Sequence, residues 1–136
     1  MPARILVAED DSSVRSFVSR ALSMQGHDVI AVGDGLQAVE ALDKEAFQLL
    51  ITDIVMPGLD GIALALRAAR DYPDLPILVM TGYSAGQQKP CSLDRLAARI
   101  LLKPFTLRQI SDAVEETLNQ AAAARSAEAQ VHNIAG

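Results

Sequence analysis

The sequence predicts an α/β fold, a five-stranded parallel, doubly wound (βα)5 sandwich. Five short apolar runs without polar alternation are typical of strands that are buried on both faces of a sheet. Segments with apolar residues at helical spacing separate these runs. Because crossovers between parallel strands are right-handed, an alternating order of strands and helices places helices on both sides of the sheet.

The first three strand–helix units are predicted within residues 4–71. Their strands are expected at residues 4–8, 28–32 and 47–52, and the third ends at Asp53. Ser12 or Ser13 is expected to cap the first helix, and Gly26 to stop it. The second helix follows the turn at residues 33–35. The third follows a Pro-Gly turn at residues 57–58 and spans about residues 61–71.

The second half of the chain is less regular. A fourth strand is predicted at residues 76–80, before Thr81, and a fifth at residues 100–102, before Lys103. Between them, Pro90 would kink or end any helix in residues 82–99. Thr106 is expected to cap a last helix that runs to about residue 118. We therefore predict one domain over residues 1–120 and a tail over residues 121–136 that extends the helix by a turn or two and then frays, partly helical or disordered.

Composition limits the classes of function. The chain has 136 residues, of which 50% are apolar, and this suits one domain with a sizeable core. A formal net charge of −5 does not favour a nucleic-acid partner or an anionic membrane surface. The single cysteine, Cys91, cannot form an internal disulfide, and neither a signal peptide nor an apolar run of membrane-spanning length is present. We expect a cytoplasmic protein.

Polar side chains follow four of the predicted strands. Glu9 and Asp10 follow the first, Asp53 the third, Thr81 the fourth and Lys103 the fifth. Because the carboxyl ends of parallel strands share one edge, these side chains are expected to meet there. Three acids packed together need a cation, and an all-oxygen ligand set suits Mg²⁺. The sequence therefore predicts an aspartate that accepts a phosphoryl group with the help of Mg²⁺.

Each of these signals is weak when it is taken alone. An acid at the end of a strand is more often a solvated turn residue or a helix cap, and a single threonine there is usually structural. Lys-Pro pairs are common in loops. The joint occurrence of such residues at four strand ends favours the phosphoryl-transfer interpretation.

With these motifs the chain resembles the receiver domains of response regulators, which have a CheY-like, flavodoxin-like fold. The resemblance extends over about residues 4–119. It implies that Asp53 is the phosphoacceptor and that Asp10 is a direct Mg²⁺ ligand. Glu9 would act on the ion through water, and the backbone carbonyl of Val55 would be a further ligand.

The same resemblance assigns two residues to the phosphoryl group itself. Thr81 would donate a hydrogen bond to it, and Lys103 would pair with its charge. The Lys103–Pro104 peptide bond is expected to be cis. Receivers often carry an aromatic residue three positions before the lysine, but here that position is Ile100. Tyr83 is the aromatic residue near the site that could replace it.

The resemblance implies a switch in a two-component phosphorelay. Its partner would be a histidine kinase or a histidine phosphotransferase, and its only chemistry would be its own phosphoryl transfer and dephosphorylation, so it would not be an enzyme. It would be a monomer or a weak dimer that acts through protein contacts without an output domain. Residues 8–11, 52–66 and 102–106 are similar to CpdR-like stand-alone receivers. This similarity implies a cell-cycle adaptor that delivers substrates to the ClpXP protease through ClpX.

Two other classes of function compete with this interpretation. Gly33 and Gly35 fit a dinucleotide-binding fingerprint between a strand and a helix, although a tight turn explains them as well. A Mg²⁺-dependent aspartyl-phosphate phosphohydrolase of the haloacid-dehalogenase type would also use an aspartate nucleophile. That family places a second Asp two residues later as an acid and base, where this chain has Val55.

Overall fold

The structure is a computed structural model that describes residues 2–56, 59–82 and 99–135, with side chains described as far as residue 126. In these parts of the chain the elements are β1 Arg4–Ala8, α1 Ser12–Met24, β2 Asp28–Val32, α2 Gly35–Lys44, β3 Leu49–Asp53, α3 Gly61–Asp71, β4 Ile77–Thr81, β5 Arg99–Leu102 and α4 Leu107–Ala135. None of the helices described has the length and apolar character needed to span a bilayer.

The five strands form one parallel sheet in the order β2-β1-β3-β4-β5. Chain order reverses between β1 and β3, and this is the switch point at which ligands bind in open α/β sheets. The strands end nearly level with one another: Ala8 pairs with Thr52, and Thr81 pairs with Leu102. The register therefore brings the residues that follow β1, β3, β4 and β5 to one edge.

Two apolar layers cover the two faces of the sheet. One layer joins alternate strand residues to α2 and α3, with Leu6 and Leu50 fully buried in it. The other joins the remaining strand residues to α1 and α4, with Ile5 and Ile51 fully buried. Because successive side chains of a strand point to opposite faces, strands covered on both sides are apolar throughout. The predicted doubly wound sandwich is confirmed.

The ends of the helices differ in part from the prediction. Asp11, and not Ser12 or Ser13, caps α1, since its Oδ1 accepts hydrogen bonds from the N–H groups of Ser13 at 2.8 Å and Val14 at 3.3 Å. Gly26 follows the end of α1 with a φ of 91°, as expected of a glycine stop. The remaining caps are aspartates or a threonine at the position before each helix: Asp34 for α2, Asp60 for α3 and Thr106 for α4.

Several boundaries differ from the predicted ranges. β3 begins at Leu49, two residues later than predicted, and the Gln48 side chain before it accepts a hydrogen bond from the Arg4 N–H at 2.9 Å. β4 includes Thr81, and β5 begins at Arg99. The last helix does not end after one or two further turns but continues to Ala135, since no glycine or proline interrupts residues 107–135.

Some sequence predictions fall outside the residues that the structure describes. These are the turn at residues 57–58 and the segment 83–98, which includes Tyr83, Pro90 and Cys91.

Candidate functional site

The carboxyl edge of the sheet brings the predicted residues together. Glu9 and Asp10 directly follow β1, Asp53 is the last residue of β3 and Thr81 is the last residue of β4. Lys103 directly follows β5, and its backbone N–H donates to the Thr81 carbonyl at 2.7 Å. The Thr81 side chain is buried. The arrangement forms a small polar site on the switch-point side of an apolar sheet.

Lys103 lies between two of the acids. Its Nζ is 2.5 Å from Glu9 Oε1 and 3.2 Å from Asp53 Oδ2, and its side chain is 22% exposed. Burial by itself lowers the pKa of Lys103, but the hydrogen bond to Glu9 and the charges of both acids raise it above its ordinary value. The lysine is therefore a fixed cation that contacts the Asp53 carboxylate.

The acids form a cluster with an unsatisfied oxygen. Carboxylate oxygens of Glu9, Asp10 and Asp53 lie within 4.8 Å of one another. Glu9 is fully buried, and its Oε2 has no hydrogen-bond partner in the described structure. Burial, together with the nearby Asp53, raises the pKa of Glu9 from 4.5 to about 7 despite the opposing effect of Lys103. The single positive charge of Lys103 does not neutralise three acids, and the cluster could hold a metal ion.

The connection after β3 fixes the position of Asp53. Its Oδ1 accepts a hydrogen bond from the Ile54 N–H at 2.9 Å, and the Gly61 N–H donates to the Ile54 carbonyl at 2.7 Å. A Cβ at position 61 would lie 1.6 Å from the Asp53 carbonyl oxygen. Gly61 therefore permits the close approach of α3 to the end of β3. The sequence marked this glycine as the start of a helix, but no spacing pattern indicated its contact with Asp53.

The other residues named from the sequence lie around this centre. Val55 follows Asp53 by two positions, and its side chain is 75% exposed. Ile100 is in β5, half-buried against the layer that contains α2 and α3. The expected cis bond between Lys103 and Pro104 is confirmed.

Packing accounts for the two glycines of the dinucleotide fingerprint. A Cβ on Gly35 would lie 2.1 Å from the Leu59 carbonyl oxygen, and one on Gly33 would lie 3.3 Å from Arg15 Nη1. The Gly33 N–H donates to Gln37 Oε1 at 3.0 Å. Close contacts within the chain therefore require or favour glycine at both positions without a bound nucleotide.

Comparisons with known proteins agree with this geometry. The chain is 45% identical over 115 residues to the response regulator receiver protein CpdR of Brucella abortus, a match that covers 85% of this chain and 96% of that protein. The crystal structure of NtrX from Brucella abortus superposes with a TM-score of 0.88 at 28% identity, and the match covers 96% of this chain but only 30% of NtrX. A CheY-like receiver domain protein from Methanospirillum hungatei has the same fold, with a TM-score of 0.82 at 24% identity, over 90% of this chain and 98% of that one.

A family assignment follows from the extent of the sequence match. Residues 5–115 match the response regulator receiver domain, and this range extends from β1 into α4. Receiver domains are signalling switches that interact with a kinase or phosphotransfer partner. The acids, the threonine and the lysine at the edge of the sheet fall within the matched range. The chain belongs to the response regulator receiver domain family of two-component signalling.

Proposed function

We propose that the chain is a phosphorylation-dependent switch in which Asp53 accepts the phosphoryl group. The contact between the Asp53 carboxylate and the Lys103 ammonium, at 3.2 Å on the switch-point edge, is the observation that supports this most directly. An aspartate on a solvated turn would have neither the buried neighbour Glu9 nor a lysine from another strand. The carboxylate is instead pre-arranged beside a cation that can take up charge from an incoming phosphoryl group.

The transfer step uses the carboxylate as a nucleophile. An Asp53 oxygen forms a bond to phosphorus while the bond from phosphorus to the donor nitrogen of a phosphohistidine breaks, and the electron pair of that bond stays with the nitrogen. Lys103 then pairs with the phosphoryl oxygens. Thr81, at the end of the neighbouring strand, donates its hydroxyl hydrogen to one of them.

The acid cluster fits Mg²⁺. Glu9, Asp10 and Asp53 would supply side-chain oxygens, and Val55 its backbone carbonyl. Oxygen ligands alone suit this ion, and the unpartnered Oε2 of Glu9 is the kind of buried acceptor that a cation or its bound water satisfies. When bound, Mg²⁺ would neutralise negative charge on the acids and the phosphoryl oxygens.

Phosphorylation would change the contacts of Lys103. In the structure this lysine is shared between Glu9 and Asp53. Added charge on Asp53 would draw it toward the phosphoryl group, and its backbone N–H links that movement to Thr81 and the end of β4. Because position 100 carries isoleucine, the rearrangement would proceed without an aromatic side chain there.

Intact mass after incubation with acetyl phosphate and Mg²⁺ tests this proposal. We expect a gain of one phosphoryl group that is abolished by chelator and by Asp53→Ala. Asp74→Asn, which changes an exposed aspartate between α3 and β4, should leave the gain unchanged. Labelling that persists in Asp53→Ala would overturn the assignment of the acceptor.

For the output we propose contacts with partner proteins in the cytoplasm, made by a domain of residues 1–120. Similarity to CpdR over 96% of that protein favours an adaptor role in ClpXP proteolysis. Purified ClpX should bind the unphosphorylated chain and release it after phosphorylation. Equal binding of both forms, or no binding, would argue against this output while leaving the phosphoryl switch intact.

A further inference from the structure

Arg15 in α1 contacts the acid cluster from behind. Its Nη1 donates to the Glu9 backbone carbonyl at 2.8 Å and approaches the Asp10 carbonyl at 3.4 Å. The side chain is half-buried, and in the part of the chain that the structure describes it forms no ion pair with a carboxylate. The guanidinium group of Arg15 therefore directs its Nη1 donor at the backbone carbonyls of the two acids that follow β1.

The neighbouring turn leaves room for this arrangement. Gly33, between β2 and α2, has no side chain, and a Cβ there would lie 3.3 Å from Arg15 Nη1. The Glu9 N–H donates to the Val32 carbonyl at 3.1 Å, so the end of β1 is held by β2 on one side and by Arg15 on the other. The backbone of Glu9 is therefore held both at its N–H and at its carbonyl.

We propose that Arg15 is a positioning residue for the acid cluster, which orients the Glu9 and Asp10 side chains toward a bound Mg²⁺ through their backbone carbonyls. This inference rests on the proposed function. Charge alone predicts the opposite effect, since a cation near the site repels a divalent ion and its removal would strengthen binding. Loss of a group that orients metal ligands typically weakens metal affinity by roughly 10- to 100-fold. Weaker Mg²⁺ binding after the loss of Arg15 therefore indicates a positioning role, and tighter Mg²⁺ binding indicates a purely electrostatic role.

Two substitutions separate geometry from charge. Arg15→Gln removes both the charge and the Nη1 donor that contacts the two carbonyls, whereas Arg15→Lys keeps the charge on a shorter side chain that cannot place its ammonium at the position of Nη1. Arg20→Gln is the matched control, because Arg20 is an exposed arginine on the same helix. Each full-length variant is titrated with Mg²⁺ by calorimetry. Its thermal unfolding without metal and the Mg²⁺ dependence of its phosphoryl uptake are measured in parallel.

We expect both Arg15 variants to bind Mg²⁺ about tenfold more weakly or worse. Half-maximal phosphoryl uptake by these variants should need correspondingly more Mg²⁺, while their rate at saturating Mg²⁺ stays within about twofold of the native rate. The control Arg20→Gln should bind Mg²⁺ and take up the phosphoryl group as the native chain does. If Arg15→Gln does not fold, the Arg15→Lys titration decides the outcome.

Three results would overturn the inference. These are unchanged Mg²⁺ affinity with only a lower unfolding temperature, native affinity in Arg15→Lys alone, and tighter binding in either variant. A native chain that neither binds Mg²⁺ nor takes up a phosphoryl group would instead refute the proposed function on which the inference rests. The two failures are distinguishable because the native chain is measured first.

Discussion

At the scale of single residues, Glu9 is subject to opposing demands. Its side chain is fully buried, Lys103 contacts one oxygen, and the other oxygen has no partner among the described residues. Burial favours the protonated acid, while Lys103 favours the carboxylate, and the net result is a pKa of about 7. Glu9 is thus poised to exchange a proton for a metal ion near neutral pH.

A pH dependence of stability follows from this pKa. Between pH 4.5 and about 7 the folded chain retains a proton on Glu9 that the unfolded chain has lost. The raised pKa of Glu9 therefore lowers the free energy of unfolding as the pH rises through that window, by about 3 kcal/mol at most. In chelator, the native chain should lose stability relative to Glu9→Gln by this amount between about pH 5 and pH 8. Mg²⁺ should offset the loss at the higher pH, because it competes with the proton.

Urea denaturation of both proteins across this pH range is the measurement. Asp74→Asn, which removes an exposed acid, should follow the native curve. A difference between native chain and Glu9→Gln that does not change with pH would contradict the expected ionisation of Glu9.

The sequence located the acids, Thr81 and Lys103 because each follows an apolar run, and the ends of parallel strands coincide in space. It could not locate Arg15 or the contact of Gly61. Both residues lie in helices and contact backbone carbonyls at or just after the end of a strand. Such contacts depend on how helices pack, not on the spacing of side chains along the chain. Asp11 was missed as a cap for a simpler reason: Asp and Ser are equally good caps, and three candidates stood in a row.

At the scale of elements, the connection from β3 to α3 determines the geometry at Asp53. The Gly61 N–H closes it onto the Ile54 carbonyl, and the first turn of α3 lies directly against the Asp53 carbonyl. The end of a strand and the start of a helix thus share one small volume. A side chain at this position would have to move the helix, the strand or both.

Gly61→Ala should therefore be among the most damaging small substitutions in the chain. A Cβ 1.6 Å from the Asp53 oxygen cannot be accommodated without a backbone shift, and we expect a loss of about 3 kcal/mol or more, together with slower phosphoryl uptake. Gly82→Ala is the control, because an added Cβ there meets no atom of the described residues within 4 Å. Chemical denaturation and uptake assays of both variants provide the comparison. Similar stability of the two variants would show that α3 can retreat from Asp53 at little cost.

At the scale of the whole molecule, α4 has two parts. Ile110 and Val114 are fully buried against the sheet and Thr117 is nearly so, whereas residues 122–126 are exposed. The apolar pattern of the first part predicted the packed helix. The length of the second part could not be predicted from that pattern, since an alanine-rich run without a helix breaker is helical by propensity and carries no packing signal.

Removal of residues 121–136 should consequently leave the folded domain intact. Residues 122–126 are exposed, so we expect the free energy of unfolding to change by less than about 1 kcal/mol and phosphoryl uptake to be retained. A chain that ends at residue 113 provides the contrast, because it also loses the buried Val114 and Thr117 and should lose several kcal/mol or fail to fold. Urea denaturation of the three chains measures both effects. If the shorter deletion alone cost more than about 2 kcal/mol, the domain boundary at residue 120 would be wrong and the helical extension would be part of the cooperative unit.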